Sequence, residues 1–100
     1  MTVTEIRMKH IEGDERLRAL ATVTLDGELA VHDVKVIQGE DRLFIAMPSR
    51  RMADGRFRDI VHPVSKDARE RLEEAVLRVY REQAQQTRII PDPLRTVQNP

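Results

Sequence analysis

Apolar and polar residues alternate over Val3–His10, with Thr4, Ile6 and Met8 on one side and Glu5, Arg7 and Lys9 on the other. A period of two predicts a half-buried β-strand. A polar turn with one glycine follows, Ile11–Arg16. Leu17, Ala19, Ala21, Val23 and Leu25 then fall on a single face of a second strand, Leu17–Leu25. Asp26-Gly27 comes next, and Asp-Gly between two apolar runs is a strong hairpin signal because glycine relieves the positive φ such turns need. A third strand, Leu29–Ile37, and a fourth, Arg42–Met47, flank the turn Gln38-Gly39-Glu40-Asp41. Together these describe an antiparallel meander closed by local turns.

Strands two to four carry apolar residues on both faces. In the third, strict alternation places Leu29, Val31 and Ile37 on one side and Ala30, Val34 and Val36 on the other. A sheet with one wet face alternates more cleanly, so each face is expected to be covered. The period changes after Pro63. Ala68, Leu72, Ala75, Val76, Val79 and Gln83 recur at three- and four-residue steps, with Leu77 and Tyr80 widening the stripe. This predicts a helix with Ser65 or Asp67 as N-cap, running to about Gln86. At ~1.5 Å per residue it spans roughly 30 Å and can cover one face of a four-stranded sheet. The other face, and any unpaired strand edge, point to a homodimer formed through strand pairing. The expected fold is α+β: an antiparallel meander of four to five strands packed with one long C-terminal α-helix. Residues 1–86 make the domain, and 87–100, with Pro91, Pro93 and Pro100, make a mobile or loosely docked tail.

Composition narrows the functional classes. The chain has 100 residues, enough for one domain with a modest core, and its three aromatics leave that core aliphatic. Seventeen basic and seventeen acidic side chains cancel, which argues against a general polybasic binder, so any nucleic-acid activity must come from local sorting of charge. There is no cysteine, which removes disulfides, thiolate nucleophiles and cysteine-ligated zinc. No apolar run approaches the ~20 residues of a membrane span, and the first residues lack a secretory apolar stretch, so a cytoplasmic protein without membrane contact is expected.

The chemistry concentrates in Met47–Pro63, MPSRRMADGRFRDIVHP. It joins the last sheet strand to the helix, and a connection of this length is usually functional or disordered. Phe57, Ile60 and Val61 are expected to anchor it, while Pro48 ends the strand and Asp54-Gly55 makes a tight turn. Arg50, Arg51, Arg56 and Arg58 stand against Asp54 and Asp59 only, leaving the segment positive in a neutral protein. An arginine fork matches phosphate oxygens in bidentate fashion. Solvated arginines paired with Asp54 and Asp59 would explain the same charges, and charge alone does not separate the two.

The residues LFIAMPSRR, then DGRFRDIVHP, closely resemble the signature of the SpoVG family of septation regulators. EIRMKHI and RLRALATVTLDGELAVHDVKVI are similar to that family too, so the resemblance covers about residues 2–80. It implies a dimeric bacterial regulator that binds DNA and RNA and influences division and sporulation. It also implies that Arg50 and Arg51 carry nucleic-acid contact, with Arg58 next, Arg56 adding charge and Ser49 donating a hydrogen bond to phosphate. Three departures stand out: Met52-Ala53 where Thr-Pro is usual, Arg56 in place of a Glu, and a tail that is not acidic. The alternative is a protein-interaction adaptor in division regulation with no direct nucleic-acid contact.

An enzyme is not expected, and neither is a cofactor, a metal or a small-molecule substrate. His32 and Asp33 are strand neighbours that point to opposite faces, and no nucleophile or His-x-x-x-His pair accompanies them. Asp33 and Asp59 are expected to orient arginines, His32 and His62 to fill half-buried positions, and Tyr80 to be a core or dimer contact.

Overall fold

The computed structural model describes residues 1–89, with side chains described through residue 83. Four strands form one antiparallel sheet in sequence order: β1 (Val3–His10), β2 (Leu17–Leu25), β3 (Leu29–Gln38) and β4 (Leu43–Ala46). A separate two-stranded hairpin follows, β5 (Ser49–Arg51) and β6 (Phe57–Asp59), and then the helix α1 (Lys66–Ile89). The α+β class, the meander and the long C-terminal helix are as the patterning predicts. The helix runs to Ile89 rather than ending near Gln86. The rest of the expected tail lies outside the described residues.

The expectation of two apolar faces on the third strand is overturned by one residue. Asp33 takes a φ of 63°, in the left-handed region that Asp tolerates better than most side chains. The ladder shifts there: Ala21 pairs with Val34 and Val23 with Val31, so His32 and Asp33 together oppose Thr22. Such a bulge resets the alternation. Val31, Val34 and Val36 therefore lie on the same face and are all buried, at 9%, 0% and 0% exposure. They join Ala19, Ala21, Val23, Ile45 and Met47 beneath Leu72, Val76 and Leu77 of α1. The far face keeps Leu17, Leu20, Ile37 and Phe44, all half-buried, among Thr22, Thr24 and Lys35. One face is thus a true core, and the other is only partly apolar.

The helix starts where the sequence offers a cap. Ser65 Oγ accepts from the Ala68 N–H at 3.0 Å, which selects Ser65 over Asp67 as N-cap. Asp67 instead sits in the first turn, where it pairs with Arg71 at 2.9 Å. Helix and sheet are also joined by polar bonds at the edge of β4. The Ile45 N–H donates to Glu73 Oε2 at 3.0 Å, and the Ile45 carbonyl accepts from Arg69 Nη2 at 3.0 Å. Glu73 Oε1 pairs with Arg42 at 2.6 Å. Two helix side chains thereby occupy backbone groups that a β4 edge would otherwise offer to another strand. β1, at the opposite end of the sheet, is the other edge.

Candidate nucleic-acid interface

The segment expected to be an anchored loop is a hairpin. Met47 is buried at 6% and roots the chain in the core. Beyond it the strands pair Ser49 with Asp59, Arg50 with Arg58 and Arg51 with Phe57. The Ile60 N–H donates to the Pro48 carbonyl at 2.8 Å at the base, and the Met52 N–H donates to the Arg56 carbonyl at 2.7 Å toward the tip. Gly55, with φ of 87°, makes the turn, and Asp54 Oδ1 accepts from the Arg56 N–H at 2.9 Å. An Asp-Gly tip is a recurrent way to reverse a strand pair.

Backbone bonds, not apolar anchors, hold this element. Phe57 is 69% exposed, Ile60 62% and Val61 41%, contrary to the expected anchoring role. Every residue of β5 and β6 is exposed. The hairpin holds Phe57 out in solvent, and Ile60 just beyond it is exposed as well. Val61, His62 and Pro63 do close over a small apolar cavity of ≈ 60 Å³ lined by Val23, Val34, Met47 and Leu72. That volume is far below the several hundred Å³ of ordinary ligand sites.

All five expected site residues, Ser49, Arg50, Arg51, Arg56 and Arg58, lie on this hairpin, yet not on one surface. Arg50 and Arg51 alternate across the strand, so the adjacent pair is split between the two faces. Among the described residues, Arg50, Arg51 and Arg58 have no ion-pair partner. Arg56 alone has one, Asp54 at 3.8 Å. Solvated pairing with Asp54 and Asp59 therefore accounts for one arginine of the four. Among the described residues Asp33 and Asp59 form no ion pair with an arginine, contrary to expectation. Asp33 shapes the β3 bulge instead.

The histidines are likewise exposed rather than half-buried. His32 Nδ1 lies 3.2 Å from Thr22 Oγ1, and His62 Nδ1–H donates to the Pro63 carbonyl at 3.0 Å. Tyr80 is half-buried against His10, with ring centroids 5.3 Å apart, and belongs to the helix–sheet contact. Among the described residues no three His, Asp or Glu side chains gather as a metal site. No described helix is long and apolar enough to cross a membrane.

The sheet, helix and projecting basic hairpin define a small α+β protein that presents unpaired arginines on a β-ribbon. A SpoVG family model matches residues 1–82, and the chain belongs to the SpoVG family. It is 51% identical over 83 residues to "Putative septation protein SpoVG" of Finegoldia magna, covering 83% of this chain and 77% of the relative. It is 51% identical over 80 residues to "Putative septation protein SpoVG 2" of Listeria monocytogenes serotype 4b, 80% of this chain and 78% of the relative. The Staphylococcus epidermidis protein named "Putative septation protein SpoVG" is 44% identical over 99 residues, 99% of this chain and 94% of its own length. These names are those of septation proteins and not of enzymes.

Proposed function

We propose that this chain is a DNA- and RNA-binding regulator of septation and gene expression, acting as a homodimer and contacting nucleic acid with the β5–β6 arginines. The observation that carries the reading is the hairpin itself: Arg50, Arg51 and Arg58 project from a ribbon exposed on both faces, and among the described residues no carboxylate is paired to them. An isolated two-stranded hairpin is marginally stable in water, which favours a ribbon that is completed by a partner. Cationic forks without internal counterions suit a polyanion. Dimerisation through β1 fits the sheet, because β1 is its other edge while helix side chains occupy β4.

With few contacts per protomer, affinity is modest and falls steeply with salt, and two hairpins on one dimer add avidity. A gel-shift series from low to moderate salt tests this with wild type and the Arg50→Ala/Arg51→Ala variant. Undiminished binding by the folded double variant would remove those residues from the contact. Sedimentation at micromolar concentration tests the dimer, and a monomer there refutes it.

Exposed Phe57, Ile60 and Val64, the last at 93%, favour a second reading, an adaptor that docks a division protein on the hairpin and the segment that follows it. The two readings separate in the 260/280 nm absorbance ratio of freshly purified protein. With one tyrosine and no tryptophan, even slight bound nucleic acid dominates that spectrum.

A further inference from the structure

The hairpin register sorts its arginines by face. Residues opposite one another in an antiparallel pair share a face, and successive pairs alternate. Arg50 and Arg58 are directly opposite, so their guanidinium stems rise side by side from one face. The Met52 N–H bond to the Arg56 carbonyl continues the ladder, which adds Arg56 to that face near the tip. Arg51 and Phe57 share the other face with Ser49 and Asp59.

The two faces differ in electrostatic character. On the second, one arginine is balanced by one aspartate, and half the surface is aromatic or hydroxyl. On the first, two like charges stand opposite each other with no acid between them, an arrangement that destabilises a free strand pair. A polyanion relieves that repulsion. The dimensions select among polyanions. Two strands ~4.8 Å apart, with side chains, fit the ~12 Å major groove of B-form DNA, which admits a two-stranded ribbon. The major groove of A-form RNA is too narrow to be read by side chains. All six strand residues are exposed, so the body of the domain does not cover the ribbon.

We infer that the β5–β6 ribbon enters the major groove of duplex DNA with its Arg50/Arg58 face toward the base edges, leaving Arg51 on the outward face. This rests on the nucleic-acid reading above and deepens it. Arg50 and Arg58 are then the residues that sense sequence, through guanine O6 and N7, the commonest specific arginine contact. Arg51 contributes at most a phosphate contact, uniform across sequences.

The test is fluorescence anisotropy of the full chain with a GC-containing DNA duplex, its RNA counterpart, and the same DNA carrying 7-deazaguanine, which lacks the N7 acceptor. Wild type is expected to bind the DNA duplex about tenfold or more tighter than the RNA duplex, and to lose roughly fivefold or more on 7-deazaguanine DNA. Arg50→Ala/Arg58→Ala is expected to lose most of its affinity and to become indifferent to 7-deazaguanine. Arg51→Ala is expected to lose little, to keep that sensitivity, and to lower the salt slope by about 1. Circular dichroism confirms that each variant is folded. If wild type binds but Arg51→Ala weakens it as much as the Arg50/Arg58 pair does, or 7-deazaguanine has no effect, the groove assignment fails while nucleic-acid binding stands. If wild type binds none of the three, both fail.

Discussion

Removing the Glu73 carboxylate tests whether polar bonds at the β4 edge, and not apolar packing alone, fix the helix on the sheet. Glu73 is only 16% exposed and holds two groups at once, the Ile45 N–H at 3.0 Å and Arg42 at 2.6 Å. The backbone bond to a charged, part-buried acceptor is worth about 1.5–3 kcal/mol, because truncation leaves the donor unpaired. The Arg42 pair adds less, about 0.5 kcal/mol, since Arg42 is 64% exposed and solvent screens it. Glu73→Ala is therefore expected to cost about 2–3 kcal/mol, and Glu73→Gln, which keeps an acceptor for Ile45, about 1 kcal/mol. For a domain of this size the first corresponds to a fall in Tm of roughly 10–15 °C. Thermal and urea melts followed by circular dichroism measure both, with Arg42→Ala as the control expected near 0.5 kcal/mol. If Glu73→Ala costs no more than Arg42→Ala, the backbone bond carries nothing and the reasoning is wrong.

Three further outcomes follow from particular residues. Asp33→Val is expected to cost about 1–2 kcal/mol, because a β-branched side chain is strained at the bulge's φ of 63°, whereas Asp33→Gly is expected to be near neutral in the same melts. Gly39→Ala places a Cβ 3.0 Å from both the Arg42 carbonyl and Phe44 Cε1. Its backbone neighbour cannot move cheaply, so a loss of about 1–3 kcal/mol is expected, and an unchanged melting temperature would refute the close approach. The Asp14 carboxylate is held below the usual 3.8, chiefly by N–H groups of Leu17 and Arg16 that donate to it. A depressed pKa gives stability that is present above the unfolded value and is lost as pH falls through the folded one. The gap between wild type and Asp14→Asn is therefore expected to close on acidification below about pH 4, and a gap independent of pH would contradict it.

The meander, its Asp26-Gly27 turn and the Ser65 cap were legible because each is written in neighbouring residues. The bulge was not. Strict alternation through His32-Asp33 assigns Val31 and Val34 to opposite faces, and only an aspartate in the left-handed region brings them together. Nothing in the local pattern marks Asp33 as that residue. The bulge accounts for the valines assigned to the second face but not for Leu17, Leu20, Ile37 and Phe44, so only part of the sequence argument for a dimer loses its footing. What remains of it rests on the position of β1 at the other edge of the sheet. The arginine segment was legible as positive and as bounded by Pro48 and Pro63, but its pairing was not, since three-residue strands leave too short a period to read.

That pairing changes what the arginines can do. Adjacent in sequence, Arg50 and Arg51 suggest one double contact. Paired in register, Arg50 stands beside Arg58 on one face of the ribbon, and Arg51 beside Phe57 on the reverse. The ribbon's direction is set from below by backbone: α1 holds Ile45, buried Met47 follows, and Pro48 bonds Ile60 at the hairpin base. None of those bonds uses the side chain of Ser49, Arg50, Arg51, Arg56 or Arg58. Alanine at any of these positions should therefore leave the fold intact, and Arg50→Ala or Arg58→Ala should raise its stability slightly by relieving the cross-strand repulsion. Among the described residues only Arg56 of these four arginines has an ion-pair partner, so the charges of Arg50, Arg51 and Arg58 do not hold the hairpin together.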